Sequence, residues 1–275
     1  MPMTADDSGH RVAPAGFIET FRSVLGKPLL WEYHQRRIRT ACERSQIAVP
    51  THFLVSDLGL LHGEMTRLLA EDRLNDGVFR YAIHYDEGAH QPTETLEIRA
   101  LPKPDPKEGI ELHVLRQRRD RGPWVPRPKS LDYENTLSGL KELRGRTQDE
   151  FADGLFLDAD HAFVAEATYR NVGWIRDGQV FCPAPELGAV AGTCLEWLGD
   201  KVVPLKPVCA PLEDLLAAEV VFLCNSVRGI TRVRTIRDQG GLLCATYSTA
   251  PHPLISRLEA SWHQICPTLR GSNSA

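Results

Sequence analysis

The chain has 275 residues, more than the roughly 100–150 of a typical compact domain, so two domains are expected. A hydrophobic share of 42% with 21 glycines and 19 prolines excludes collagen-like and low-complexity chains and argues against global disorder. The 32 basic and 36 acidic residues leave a net charge of −4, which excludes a bulk basic field for a nucleic-acid backbone.

No apolar run approaches the ~18–20 residues of a membrane-spanning helix, so no membrane partner is expected. The start, MPMTADDSGHRVAPAG, has no basic segment leading into an apolar one and is read as lacking a signal peptide. Seven scattered cysteines without a CxxC pair predict reduced thiols, no zinc site and a cytoplasmic protein. Residues 1–15 are polar or small and are expected to form a flexible arm.

Order is expected to begin near Phe17. Trp31, Ile38, Ala41 and Cys42 recur at helical spacing, with Arg36, Arg39 and Glu43 opposite. A second helix is expected from a Ser56–Asp57 cap, burying Leu58, Leu61, Met65 and Leu68. The period then becomes two, through Phe79, Tyr81, Ile83 and Tyr85, then Leu96, Ile98 and Ala100, then Ile110, Leu112 and Val114. Residues 16–115 thus read as a small α/β domain, and the basic, proline-rich 116–128 as an interdomain linker. Residues 129–275 read as a larger domain. It begins with a helix around Leu137–Leu143, then strands at Gly154–Leu157, Ala162–Ala165 and from Val172. Asp177–Gly178 is a two-residue hairpin signal. A short helix after Gly192, a strand at Val220–Leu223 and a helix burying Leu254, Ile255, Leu258, Trp262 and Ile265 complete it.

Few residues stand out chemically on their own. Lys129 follows the linker, but a lone lysine is ordinarily a surface amine. Glu166 follows the apolar Phe163-Val164-Ala165, where a carboxylate is costly to bury without a cation or donor. Gly188–Cys194 leads a glycine turn into a helix start, and backbone N–H groups there suit a phosphate or simply cap the helix. Cys224–Gly229 ends a strand with small hydrogen-bonding groups. The ten histidines show no metal-ligand spacing, and His34 and His113 read as packing or surface residues.

Taken in order, these segments resemble the fold-type IV pyridoxal-phosphate enzymes, the class IV aminotransferase family. His34-Gln-Arg-Arg37 is similar to the family's His-x-x-Arg helix, and Lys129-Ser-Leu-Asp-Tyr133 to its KTLNY-like lysine motif. Asp153–Asp158, Glu166–Asn171, Gly188–Thr193 and Asn225–Gly229 match its later motifs in the same order. The resemblance implies an α/β (α+β) two-domain fold, with a small α/β N-terminal domain and a larger C-terminal domain containing a barrel-like β core.

It also implies pyridoxal 5'-phosphate as cofactor. Lys129 would carry it and move the proton, and Glu166 would face the pyridine nitrogen. Arg37, Thr193, Cys194 and Ser226 would hold its phosphate, Tyr133 its phenolic oxygen, and Asn171 would belong to the same cofactor shell. Thr20 would lie on the substrate side. The expected partners are a small-molecule amine and a second copy of the chain in a homodimer. Within the family, FLCNSVRG and the early Phe17-Ile-Glu19-Thr20 are most similar to the 4-amino-4-deoxychorismate lyases, which release pyruvate and 4-aminobenzoate. An aminotransferase acting on a branched-chain or D-amino acid is the alternative, and a non-catalytic scaffold a third reading. The chain departs from the usual family pattern at Leu195, where an arginine is common, and at Arg232, where a proline is. Gly173 stands where an aromatic is usual, and Ala165 where threonine is frequent.

Overall fold

A computed structural model describes residues 15–49, 58–85, 92–122, 125 and 127–267. The arm expected over residues 1–15 therefore lies, apart from Ala15, outside the described residues, as does the Ser56–Asp57 cap. The chain divides into two units. The first takes the chain up to Lys103, the segment Pro128–Asp132 and the chain from Ile265; the second takes Pro104–Arg127 and Tyr133–Gln264.

In the first unit, β1 (Gly16–Val24) and β2 (Lys27–Pro28) form a hairpin, followed by the helices α1 (Trp31–Arg44) and α2 (Leu58–Glu71). β3 (Val78–His84) and β4 (Thr93–Arg99) complete an antiparallel sheet of order β2-β1-β3-β4. Both helices have an apolar stripe facing this sheet. Ile38, Cys42, Leu61 and Met65 meet Phe17, Phe21, Phe79 and Tyr81 in one core. The expected helices and alternating strands are present; β1 was not expected. Its GFIETFRSV is buried on both faces, so it lacks the alternation that marks a half-buried strand.

The second unit is built on a nine-stranded sheet. β5 (Ile110–Arg119) crosses through α3 (Glu134–Arg144) to the parallel β6 (Asp153–Asp158), which turns back into β7 (Val164–Ala167). β8 (Asn171–Arg176) and β9 (Gln179–Pro183) form the expected hairpin. Asp177 and Gly178 both take positive φ, 51° and 66°, as a two-residue turn matched to strand twist requires. Next come α4 (Thr193–Lys201), β10 (Leu205–Val208), α5 (Leu212–Leu216), β11 (Val220–Asn225), β12 (Gly229–Arg237), β13 (Leu243–Thr246) and α6 (Pro253–Ile265).

The strand order is β10-β9-β8-β11-β12-β5-β6-β7, with β13 beside β12. The sheet curls until one edge meets the other, where the Val164 N–H donates to the Ala210 carbonyl at 2.9 Å. This is the expected barrel-like core, filled by Leu112, Val114, Leu155, Val172, Trp174, Val221 and Val233. Gly173, where an aromatic is usual in the family, pairs with Phe222 of β11, and a Cβ there would meet that ring at 2.4 Å. The neighbouring strand supplies the aromatic bulk.

The division differs from the sequence expectation in two places. The boundary falls at Lys103 rather than Leu115, because β5 is hydrogen-bonded to β6 and β12 and so belongs to the second unit's sheet as far as Arg119. The stretch 116–128 is thus in part a strand rather than a linker. Lys129, expected to open the larger domain, instead joins the first unit. The Ile18 N–H donates to the Lys129 carbonyl at 2.9 Å, and the Leu131 N–H donates to the Gly16 carbonyl at 3.0 Å. β3 holds one edge of β1, so residues 129–131 take the other.

Candidate active site

In the first unit, the segment on the edge of β1 brings Lys129 to Thr20, and its Nζ donates to Thr20 Oγ1 at 3.1 Å. Burial, reinforced by the Arg37 guanidinium and partly opposed by Glu19, pushes the amine down from its ordinary range to about 8. Roughly a tenth of an amine with that pKa is neutral at pH 7, hundreds of times the fraction for an ordinary lysine. A neutral amine is the nucleophilic form.

Arg37, on α1, forms a fork with Glu19 of β1. Its Nε donates to Oε1 at 2.9 Å, and its Nη2 pairs with Oε2. His34, one turn earlier on α1, meets Glu19 Oε2 through Nδ1 at 2.5 Å. Burial alone would raise the Glu19 carboxyl, but the Arg37 charge and the His34 hydrogen bond outweigh it and hold it at about 2. Burial drives His34 below its ordinary value despite Glu19. His34 is therefore a fully buried packing residue, as expected, and also a polar partner.

In the second unit, Glu166 sits on β7, opposite Phe156 of β6, and is only 5% exposed. Arg119 provides the cation that such a carboxylate needs. Its Nη2 pairs with Glu166 Oε1, while its other nitrogens donate to Asn135 Oδ1 at 2.9 Å and to the Gly188 carbonyl at 3.3 Å. The Glu166 Oε2 accepts the Val190 N–H at 3.0 Å, and Oε1 makes its ion pair without a hydrogen bond. Asn171, at the start of β8, donates from Nδ2 to the Val190 carbonyl at 2.9 Å.

The glycine loop is thus clasped by both residues and delivered into α4. Its N-cap, Gly192, cannot carry a side chain, since a Cβ there would lie 1.7 Å from Asn171 Oδ1. No side-chain hydrogen bond caps this helix start, where the positive end of the helix dipole lies. Thr193 and Cys194 are buried there, and Cys194 lies against Cys224 at the end of β11. That contact sets the helix start beside the turn carrying Ser226. Asn225 Oδ1 folds this turn by accepting the N–H groups of Val227 at 3.0 Å and Arg228 at 2.7 Å. Burial holds the Cys194 thiol well above its ordinary range, which makes it a packing group rather than a nucleophile. Tyr133 is the N-cap residue of α3.

The structure therefore groups Lys129, Thr20 and Arg37 in one unit, and Glu166, Asn171, Thr193, Cys194 and Ser226 in the other. Glu19, Arg119 and Asp105 were not singled out from sequence. The Asp105 carboxylate holds Arg170 at 2.9 Å, Arg228 at 2.6 Å and Thr231 at 2.5 Å, joining the turn before β8 to the turn after β11. Arg119 had been assigned to the basic linker, and only its pairing across the sheet reveals it. Asp158, Asp160 and His161 approach one another as a metal trio would. Asp158 is instead occupied in closing its turn, accepting the Phe163 N–H at 2.7 Å and pairing with Arg121.

The family described as Amino-transferase class IV matches residues 16–236. The chain belongs to this family. The class IV family comprises pyridoxal-phosphate-dependent lyases and aminotransferases, and the chain is an enzyme of that kind. It is 26% identical over 231 residues to the aminodeoxychorismate lyase of Vibrio harveyi, covering 80% of this chain and 83% of that one. It is 29% identical over 241 residues to the aminodeoxychorismate lyase of Bacillus subtilis, covering 81% and 78%. The crystal structure of 4-amino-4-deoxychorismate lyase from Pseudomonas aeruginosa superposes with a TM-score of 0.71 at 25% identity, over 90% of each chain. Among the described residues, no helix is long and apolar enough to cross a membrane.

Proposed function

We propose that this class IV enzyme is a 4-amino-4-deoxychorismate lyase that carries pyridoxal 5'-phosphate on Lys129 and releases 4-aminobenzoate and pyruvate. The observation that carries this reading is the Lys129 amine, lowered to about 8 and hydrogen-bonded to the Thr20 hydroxyl. An amine held partly neutral at neutral pH both binds a carbonyl cofactor and accepts a proton. The relatives named as lyases support the choice of substrate.

The residues suit the cofactor. Glu166 presents a buried carboxylate, ion-paired with Arg119 through an Oε1 that makes no hydrogen bond, and a carboxylate there fits a protonated pyridine nitrogen. The start of α4, with Thr193 and Cys194, and the turn carrying Ser226 suit a phosphate, and in this reading Arg37 would be its cation. Asn171 steadies the loop that leads there, and Tyr133 serves the phenolic oxygen. Bound pyridoxal phosphate supplies an electron sink at the carbon bearing the substrate amine.

Lys129 would hold the cofactor, and its Nζ, once free, would take the proton from C4 of the substrate. As that C–H bond breaks, the ring C–O bond would break, enolpyruvate would leave and take up a proton to become pyruvate, and the ring would become aromatic. Thr20 positions Nζ and passes the proton onward. In this reading the enzyme acts as a cytoplasmic homodimer on a small-molecule amine.

The test combines purified protein with pyridoxal phosphate, follows the visible band before and after borohydride, and includes Lys129→Ala. A label trapped on Lys129 and absent from the variant, with 4-aminobenzoate formed from 4-amino-4-deoxychorismate, is the expected result. Bleaching by an amino acid without 4-aminobenzoate would make the enzyme a transaminase instead. Thr20→Ala is expected to lower kcat about 10²-fold while leaving the trapped label in place.

A further inference from the structure

Outside these clusters the second unit carries an open cavity of about 870 Å³, lined by β5, the end of α3 and the β12–β13 hairpin. Four arginines line it, Arg116, Arg118, Arg146 and Arg237, against two glutamates, Glu111 and Glu142. Both glutamates are already engaged. Glu111 pairs with Arg237, and Glu142 pairs with Arg146 while accepting the main-chain N–H groups of Arg116 at 2.8 Å and Gln117 at 3.0 Å. The cavity keeps a positive excess.

Two residues lining it have buried nitrogens without a hydrogen bond among the described residues. Arg118 has a buried Nη1 without a hydrogen bond. His113 is 3% exposed, and neither ring nitrogen makes a hydrogen bond; Nε2 lies 3.4 Å from Glu111 Oε1, outside hydrogen-bonding geometry. Buried donors without acceptors are costly, and an anion entering the cavity would supply acceptors once these side chains turn towards it.

The wall also limits the body of the ligand. Apart from the His113 imidazole, no aromatic or large apolar side chain lines the cavity; the remaining groups include Gln117, Thr147 and Gln239. An aromatic acid would find no ring to stack on, whereas hydroxyls would find amide and carboxylate partners. We propose that this cavity binds a hydroxyl-rich phosphate monoester, a sugar phosphate in chemical class, with its phosphate between Arg118 and His113. The site is independent of the lyase reading, since none of its residues belongs to the Lys129 or Glu166 clusters.

Burial lowers His113, with Arg237 and Arg146 adding to the effect and Glu111 opposing it. A phosphate dianion beside the ring would reverse that balance and shift its titration upward. The experiment is calorimetry on the pyridoxal-phosphate-loaded protein with ribose 5-phosphate as probe, alongside ribose and inorganic phosphate, with the His113 ring followed by NMR. The expected result is saturable binding of ribose 5-phosphate, at least tenfold weaker in Arg118→Gln and in His113→Gln, with the His113 titration moved upward. Arg118→Gln, at a partly exposed position, keeps the test valid if the buried substitution impairs folding. Absence of binding at millimolar probe, or binding unchanged in Arg118→Gln, would overturn the proposal. Equal affinity for inorganic phosphate would overturn the hydroxyl-rich part. Loss of the borohydride label on Lys129 with probe binding intact would sink the lyase reading alone.

Discussion

Lys129 has charged neighbours of both signs that set its acidity. Burial lowers it most, Arg37, Arg99 and Arg80 add to that, and Glu19 opposes them. Trapping of a small neutral aldehyde on Lys129 of the cofactor-free protein, read by mass after borohydride, should therefore rise with pH through a midpoint near 8. Arg37→Leu should move that midpoint upward. Glu19 is the opposite case. Its folded pKa of about 2 lies below the ordinary 4.5, so its contribution to stability is present above pH 4.5 and is lost as pH falls towards 2. Glu19→Gln, which leaves Arg37 and His34 facing a neutral amide, should cost about 3–5 kcal/mol at pH 7, measured by urea unfolding. These partners could not be read from sequence. His34-x-x-Arg37 is visible as a motif, but its carboxylate lies across the sheet, 15 and 18 residues away. The same holds for Arg119, whose charge read as part of a solvated run although its partner, Glu166, stood out for its apolar setting.

Among the elements, those with a clean period were legible. α1, β3 and the β8–β9 hairpin each show one face or one turn in their own residues. β1 does not, because its strand is buried on both faces, and β12 does not, because the alternation of Arg232 and Arg234 breaks before Arg237. One of those, Arg232, stands where a proline is common in the family and forks onto Glu259 of α6 at 2.7 and 2.9 Å, tying β12 to the last helix. The glycine loop before α4 was legible as a helix start, but not the pressure on its last residue. Gly192→Ala would drive a methyl into Asn171. It should cost about 1–3 kcal/mol and weaken pyridoxal-phosphate retention in equilibrium dialysis, while the Lys129 aldehyde midpoint stays unchanged.

At the scale of the whole chain, contiguity in sequence and membership in a unit diverge. Lys129 is far from β1 along the chain, yet two main-chain hydrogen bonds make its segment part of that strand's edge. The proline-rich composition around it suggested a linker, and composition carries no information about which edge a segment will pair with. Leu131→Pro removes the N–H that donates to Gly16. It should lower the borohydride-trapped label on Lys129 several-fold and raise hydrogen exchange at Ile18, without altering exchange in β8 and β11.

The loop residue Val190 is gripped at both ends of its backbone, with its N–H on Glu166 and its carbonyl on Asn171. Both bonds therefore read the main chain on either side of Val190 rather than its side chain. The position is free to drift among most amino acids during divergence, while proline, which lacks the proton, is barred. A saturation library at codon 190 should accordingly return a nearly flat fitness profile with a single deep hole.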